Sequence, residues 1–301
     1  MIRLPRTGLG TAPLGGLFEA VSDETAHETL ELAWERGIRF FDTAPLYGLG
    51  LSEERLGRFL AGKPRDDFVL ASKVGRLLRA DAPADPGRSL WAGAPPLNPV
   101  WDFSHDGVLR SIDESLERLG LDRIDIVHIH DPDDHYEEAL AGAYPALDRL
   151  RTEGVIRAVG AGMNQVEMLV DFVLEARFDC FLVAGRYTLL DRAALPELLP
   201  LCVERGVAVI AGGVFNSGIL AGGTTFDYRP APPELLERAA ELEAVCAGYD
   251  VPLAAAALQF PLRHPAVASV LLGPRSRAQL TQSLDLLDLQ VPVELWAELS
   301  A

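Results

Sequence analysis

Cysteine is scarce in this sequence, which excludes a disulfide framework. The chain has three cysteines, Cys180, Cys202 and Cys246, and no two of them form a CxxC pair. Each stands among apolar neighbours, as small buried hydrophobic residues do in a reducing compartment. Because no cluster of Cys, His or Glu has the spacing of metal ligands, the sequence predicts no metal site.

The sequence also has few positively charged residues and no long apolar run. The 27 Lys and Arg residues oppose 44 Asp and Glu residues, a formal net charge of -17 at pH 7. A field this acidic excludes general binding to nucleic acid or to an anionic membrane. The longest apolar stretch, residues 251–262, contains Gln259 and two prolines, and it is too short to cross a bilayer. The first residues carry no apolar signal segment, so we expect a cytoplasmic protein.

The chain does contain a repeated alternation of short apolar runs and amphipathic helical stretches. The predicted strands are 38–42, 68–73, 124–130, 155–161, 180–183, 207–211 and 267–272, after an opening segment at 8–14, and the predicted helices are 23–36, 52–60, 104–119, 137–151, 165–176, 192–205, 233–249, 252–262 and 275–287. Strands that are apolar throughout are typical of a parallel sheet covered on both faces. About eight such units predict one α/β domain over residues 1–301, a (β/α)8 TIM barrel with a long β3–α3 loop at residues 77–103. A doubly wound open sheet is the alternative, but Pro13 stands where its GxGxxG turn needs a third glycine.

Four polar residues stand at or near the ends of neighbouring predicted strands. Asp42, Lys73 and His130 end the second, third and fourth strands, and Tyr47 follows in the loop after Asp42. A single strand-end Asp caps a helix or a loop about as often as it takes part in chemistry, and a single Tyr more often packs against its neighbours. Because the C-terminal ends of barrel strands meet at one mouth, we expect all four side chains to converge there.

Together these residues can interconvert a carbonyl and an alcohol. Tyr47 is expected to move the proton, although an unperturbed phenol has a pKa of about 10. A Lys73 ammonium about 4 Å away would favour the phenolate by roughly 4 kcal/mol at an effective dielectric near 20. Asp42 would hold Lys73 charged, and His130 would orient the substrate oxygen.

The residues around these positions resemble the aldo-keto reductase family. Residues 41–48, Phe-Asp-Thr-Ala-Pro-Leu-Tyr-Gly, and the following Ser52-Glu53 are similar to the family's signature, as are residues 71–73 and 125–132. The resemblance covers nearly the whole chain. It implies a barrel that binds a nicotinamide cofactor across its mouth without a Rossmann domain, and a catalytic tetrad of Asp42, Tyr47, Lys73 and His130.

The resemblance also implies a set of cofactor-binding residues. Residues 10–12 are similar to the family's nicotinamide-ribose contact, residues 213–220 to its pyrophosphate loop, and residues 273–283 to its adenosine end. The implied set is Gly10, Thr11, Ala12, Asp42, Asn164 (carboxamide), Tyr187 (stacking on the nicotinamide), Gly213, Val214, Phe215, Asn216, Ser217, Leu220, Gly273, Arg275, Gln279 and Ser283. The alternatives are a flexible turn at residues 213–220 and a solvated helix start at Arg275.

Two departures from the family pattern indicate NAD rather than NADP. Family members that bind NADP often carry Lys and Arg where this chain has Gly273 and Gln279. Arg275 could still meet a 2′-phosphate, as could the helix N-terminus beside it. We therefore expect NAD or NADP as cofactor, with NAD preferred.

Residues 10–15, 130–134, 162–165 and 184–191 are similar to the aldose 1-dehydrogenase branch of the family, which acts on L-fucose, D-threo-aldoses or L-galactose. The resemblance implies oxidation of a cyclic hemiacetal to a lactone, with Trp91, Trp101 and Asp131 as sugar contacts. The alternatives are an NADPH-dependent aldehyde or ketone reductase, a pyridoxal 4-dehydrogenase and a nucleotide-binding regulatory barrel without activity. The expected partner is a small sugar or aldehyde, and the expected assembly is a monomer or a small homo-oligomer.

His128 lies two residues before His130 and so faces the same way, one layer deeper in the barrel. Two interpretations stay open: a hydrogen-bonded core histidine, or a residue that supports His130.

Overall fold

The computed structural model describes residues 3–300, and its centre is a closed barrel of parallel strands. In chain order the strands are Thr7–Gly10, Phe40–Asp42, Val69–Val74, Ile126–His130, Ala158–Met163, Cys180–Ala184, Ala208–Gly212 and Val267–Leu272. Each pairs with the next, and the eighth pairs with the first, Val270 lying opposite Thr7. The predicted TIM barrel is confirmed. The outermost positions of the expected domain, residues 1, 2 and 301, lie outside the described residues.

Helices surround this barrel. They are Asp23–Glu35, Leu51–Leu60, His105–Leu119, Tyr136–Glu138, Tyr144–Thr152, Glu167–Glu175, Leu198–Arg205, Pro233–Ala247, Leu253–Gln259, Arg277–Asp288 and Val293–Ser300, and a π-helical turn, Ala139–Ala143, joins the fourth to the fifth. The hydroxyls of Ser22, Ser104 and Ser276 each accept a hydrogen bond from a backbone N–H in the first turn of their helix, which satisfies a donor left open at the helix start. The predicted elements do not include the last helix. Within residues 3–300, no helix combines the length and the apolar character that crossing a membrane requires.

The segment expected as a long irregular loop contains a β-ribbon. Arg76–Arg79 pairs antiparallel with Asn98–Trp101, and Trp91 bridges to Leu17 in the loop after the first strand. The many Pro and Gly residues between the two ribbon strands indicate a loop rather than a sheet. The pairing itself could not be predicted from local sequence, because the two strands are distant along the chain and their register is set only in the folded protein. The ribbon forms one wall at the C-terminal end of the barrel.

Gly160 of the fifth strand makes room for a large side chain inside the barrel. His128, from the fourth strand, is fully buried there. A Cβ atom at Gly160 would lie 2.3 Å from Nδ1 of His128 and 2.8 Å from the carbonyl oxygen of Cys180.

The cysteines Cys180, Cys202 and Cys246 are buried and unpaired, as predicted.

We expect Gly160→Ala to destabilise the protein by about 1–3 kcal/mol, the usual cost of overpacking a core. Urea unfolding measures this loss. Gly162→Ala is the matched control, because a Cβ there would meet Leu182 Cβ at 3.5 Å and Lys73 Cε at 3.6 Å, which are ordinary contacts. Equal unfolding free energies for the two variants would contradict the assigned role of Gly160.

Candidate active site

Asp42 and Lys73 form a buried ion pair at the C-terminal ends of the second and third strands. Lys73 Nζ donates to both carboxylate oxygens of Asp42, at 2.7 and 2.9 Å, and to the carbonyl of Thr43 at 2.9 Å. Burial raises the pKa of Asp42 and lowers that of Lys73, and in each case the charge of the partner opposes the shift. The bidentate contact keeps the ammonium group in one place.

Tyr47 reaches this pair from the loop after the second strand. Lys73 Nζ lies 4.5 Å from the centre of the Tyr47 ring. The ring of His130 meets it edge-on, with ring centres 5.9 Å apart. The four side chains expected to carry the chemistry therefore lie together at the mouth of the barrel.

The expected lowering of the Tyr47 pKa by Lys73 is wrong for the structure as described. Burial and, next, the negative charge of Asp42 raise the pKa of Tyr47 well above its usual value, while the positive charge of Arg76 opposes them. Because Asp42 bonds directly to Lys73, the phenol faces a nearly neutral pair rather than a bare ammonium group. Tyr47 is therefore protonated here, as a proton donor must be.

His130 is the last residue of the fourth strand. Burial first, and then the charges of Arg76 and Lys73, lower the pKa of His130 well below its usual value. The ring is therefore neutral at neutral pH and can donate one hydrogen bond to a substrate oxygen without bringing a charge. Its Nε2 lies 3.4 Å from Oδ2 of Asp131.

Arg76 lines the mouth, although the sequence analysis does not single it out. Its Nη2 donates to Oδ2 of Asp131 at 3.0 Å, and its guanidinium carbon lies 4.1 Å from the centre of the Trp101 ring. Gly75, at φ 108°, turns the chain between the barrel and the ribbon. The position of Arg76 three residues after Lys73 is the one local signal that could have indicated it.

The three expected substrate contacts all reach this region. The Trp91 ring lies 5.7 Å from that of Tyr47, and Trp101 is 40% exposed beside Arg76. Asp131 lies between His130 and Arg76, with its backbone in the left-handed region at φ 40°. Aromatic and polar groups thus share one opening.

Comparison with known proteins agrees with this geometry. The profile described as the Aldo/keto reductase family matches residues 6–301. The chain belongs to that family. It is 47% identical to a D-threo-aldose 1-dehydrogenase from Pseudomonas sp, over 99% of this chain and 94% of the relative. It is 45% identical to a pyridoxal 4-dehydrogenase from Microbacterium luteolum, over 97% of this chain and 92% of the relative.

The solved structures give the same result. The holo form of an aldo-keto reductase from Bacillus halodurans superposes with a TM-score of 0.77 at 27% identity, covering 98% of this chain and 91% of the other. This aldo/keto reductase is therefore a nicotinamide-dependent oxidoreductase.

Within the described residues no group of three or more His, Cys, Asp or Glu side chains is arranged to hold a metal ion.

The expected pyrophosphate loop is an ordered turn with the character of an anion site. Phe215, at φ −94° and ψ 6°, is followed by Asn216 and Ser217 at φ 45° and 60°. Such a change in the sign of φ turns neighbouring N–H groups to one side, and of these the Asn216 N–H already donates to the carbonyl of Gly213 at 2.8 Å. Ser217 Oγ accepts a hydrogen bond from the backbone of Tyr228 at 3.0 Å. Asn216 donates to the carbonyl of Gly185, yet its buried Oδ1 has no partner within residues 3–300. These residues fit a dinucleotide.

Two other parts of the expected cofactor set also stand near strand ends. The hydroxyl and the backbone N–H of Thr11 both donate to the carbonyl of Asp42 at 2.9 Å, and its own carbonyl accepts from Gly15 and Ser52, so the hydrogen-bonding groups of Thr11 serve to fix the second strand. Asn164 directly follows the fifth strand, and its carbonyl accepts from Arg186 at 2.8 Å.

At the expected adenosine end, Arg275 lies on the loop before helix Arg277–Asp288. Its backbone N–H donates to the side chain of Gln279 at 2.8 Å, and its Nη2 reaches the carbonyl of Leu17 at 3.4 Å. Its buried Nε has no partner among the described residues. Arg275 therefore keeps donor capacity for a ligand.

Tyr187 is not brought to the mouth, contrary to the expectation that it stacks on the nicotinamide. It is buried in the apolar layer between strands and helices. Its ring packs against Phe260 at 5.0 Å and His264 at 5.7 Å, two residues of the segment that leads into the eighth strand. Local sequence could not show this, because the direction of the side chain depends on how the loop after the sixth strand folds back.

His128 is a core residue whose polar contact, to the backbone of Ala161, does not reach good hydrogen-bond geometry. Neither ring nitrogen has a well-formed partner within residues 3–300. Burial, followed by the charge of Lys73, lowers the pKa of His128 to about 3. Its Cα lies opposite that of Lys73 in the neighbouring strand, so a neutral ring at this position adds no second charge beneath the ion pair.

We expect His128→Leu to flatten the acid dependence of stability. The unfolded chain takes up a proton at this residue below about pH 6.5, whereas the folded protein does so only near pH 3. Stability is therefore fully present above pH 6.5 and falls as the pH is lowered, by about 1.4 kcal/mol per pH unit from this residue. Urea unfolding at several pH values between 7 and 4 measures the slope. A variant with the wild-type slope would show that His128 is not the buried neutral group described here.

Proposed function

We propose that this aldo/keto reductase oxidises the C1 hemiacetal of an aldose to a lactone, with NAD as the preferred hydride acceptor. The observation that carries the proposal is the meeting of Tyr47, His130 and the Lys73–Asp42 pair at one opening. The similarity to the D-threo-aldose 1-dehydrogenase from Pseudomonas sp supports a sugar as substrate.

In this reaction Tyr47 acts as phenolate: its own proton first passes to solvent, and the phenolate then takes the proton of the C1 hydroxyl while the C1–H bond breaks. His130, neutral, donates a hydrogen bond to the same oxygen and holds it against Tyr47. Oxidised nicotinamide, when bound, supplies the hydride acceptor and a positive ring. Lys73 stays charged because Asp42 holds it, and the charge of Arg76 opposes the rise in the Tyr47 pKa that burial causes.

The second candidate is the reverse chemistry, reduction of an aldehyde or ketone. The raised pKa of Tyr47 favours it, because a protonated phenol is the donor that a carbonyl oxygen needs. Oxidation of pyridoxal is a third, supported by the similarity to the pyridoxal 4-dehydrogenase from Microbacterium luteolum. Initial rates with NAD and NADP, across a panel of aldoses, pyridoxal and simple aldehydes, separate the three. No oxidation of any aldose would reject the first proposal.

Tyr47→Phe should lower kcat by about 10²–10⁴-fold, the contribution of a general acid–base group. Cofactor affinity should stay within about twofold, because the ring remains while only the hydroxyl is lost. Steady-state kinetics and a direct nucleotide titration measure the two effects. A variant that keeps more than about a tenth of the wild-type kcat would exclude Tyr47 as the acid–base group.

NAD should bind more tightly than NADP. A 2′-phosphate carries nearly two negative charges and needs fixed cations, but Gly273 and Gln279 supply none, and Arg277 already pairs with Glu35 at 3.4 Å. If Arg275 contacts the phosphate, Arg275→Ala should weaken NADP by about 1.5–3 kcal/mol and spare NAD.

Calorimetric titration of both nucleotides into the wild type, Arg275→Ala and the control Arg277→Ala measures this preference. Tenfold tighter NADP binding by the wild type would reject the preference for NAD and favour the reductase.

A further inference from the structure

The charges at the mouth occur as matched pairs, buried except for Asp131, whose side chain is 25% exposed. Lys73 is balanced by Asp42, and Arg76 is balanced by Asp131, which also lies 3.4 Å from His130. Charged groups close to a reacting centre discriminate strongly between ligands of different charge, because there is little water to screen them.

Arg76 is the cation of the second pair and lies at the mouth between Asp131 and Trp101. It is 7% exposed. Nη2 is bound to Asp131, the flat face of the guanidinium packs on Trp101, and Nη1 is buried with no hydrogen-bond partner within residues 3–300. The residue therefore has a donor to spare and a charge that is already cancelled.

We propose that the Arg76–Asp131 pair makes this enzyme selective for neutral, polyhydroxylated substrates over their phosphorylated or carboxylated counterparts. A hydroxyl oxygen can accept from Arg76 without disturbing the pair. An anionic group would have to displace Asp131 from the guanidinium or lie beside its carboxylate, and like charges in contact are unfavourable. The inference extends the proposed function from its reaction to the charge class of its substrate.

The charges that act on Asp131 at the mouth support the same selectivity. Asp133, whose side chain accepts from Gln165, adds a further negative charge that acts on Asp131. Burial raises the pKa of Asp131, and Arg76 is the largest influence opposing that rise. Because Asp131 balances the charge of Arg76, the wall of the mouth that Arg76 forms carries no uncompensated positive charge.

The test compares glyceraldehyde with glyceraldehyde 3-phosphate, as substrates of reduction at saturating cofactor and 0.15 M salt. The readout is the ratio of their kcat/KM values, which a general loss of structure does not change. We expect the wild type to favour the neutral aldehyde by about 100-fold or more. Asp131→Asn leaves the Arg76 charge uncompensated and should lower this ratio by about tenfold or more.

Two further variants separate charge selection from structural damage. Arg76→Met combined with Asp131→Asn removes the pair as a unit and should raise KM for glyceraldehyde by about tenfold, the loss of a hydrogen bond to substrate. Arg79→Met is the control. It breaks an ion pair of the same ribbon, between Arg79 and Glu114 at 2.8 Å, and should leave the ratio unchanged.

A ratio for Asp131→Asn within about twofold of wild type, or an equal change in Arg79→Met, would overturn the inference. The result is independent of aldose oxidation: an enzyme that oxidises no aldose but shows the expected ratios would reject the proposed function and support the charge selection. Absence of turnover with both aldehydes and all aldoses would overturn both.

Discussion

The active site depends on keeping two opposite charges together where there is almost no water. A buried carboxylate or ammonium group without a partner would shift its pKa and lose its charge. Removing one partner of such a pair costs far more free energy of unfolding than the intact pair contributes. Asp42 and Lys73 avoid this because the second and third strands are neighbours in the barrel, with Asp42 opposite Ala71. A shift of register by one residue would turn Lys73 outward.

The same requirement shapes the elements around the pair. Glu53, fully buried on helix Leu51–Leu60, accepts from Ser72 at 2.8 Å and from Arg118 at 2.6 Å. These bonds connect that helix to the third strand and to helix His105–Leu119. The loop that carries Tyr47 is held between its strand and its helix, so the phenol is positioned by a network of satisfied polar groups rather than by one contact.

Short patterns along the chain predicted most of the framework. Apolar runs between amphipathic stretches indicated the barrel, and polar residues at strand ends indicated Asp42, Lys73 and His130, because a strand's end is a local property. Pairings between distant segments were not visible in this way. The ribbon that carries Arg76 and Trp101 encloses a stretch rich in Pro and Gly that is typical of an irregular loop. The family resemblance implies that Tyr187 lies at the mouth, although its ring packs in the outer layer.

The sequence alone determined which chemical groups this protein has and along which strands they lie, since periodicity and residue type are carried by each segment separately. Only the tertiary structure decided their protonation and their partners. The sign of the shift in the Tyr47 pKa is the clearest case: a bare Lys73 ammonium would lower it, but burial and, next, the charge of Asp42 raise it, and Asp42 bonds directly to Lys73. Electrostatic energies depend on distances between all charges and on how much water is excluded, and those distances exist only once the barrel has closed.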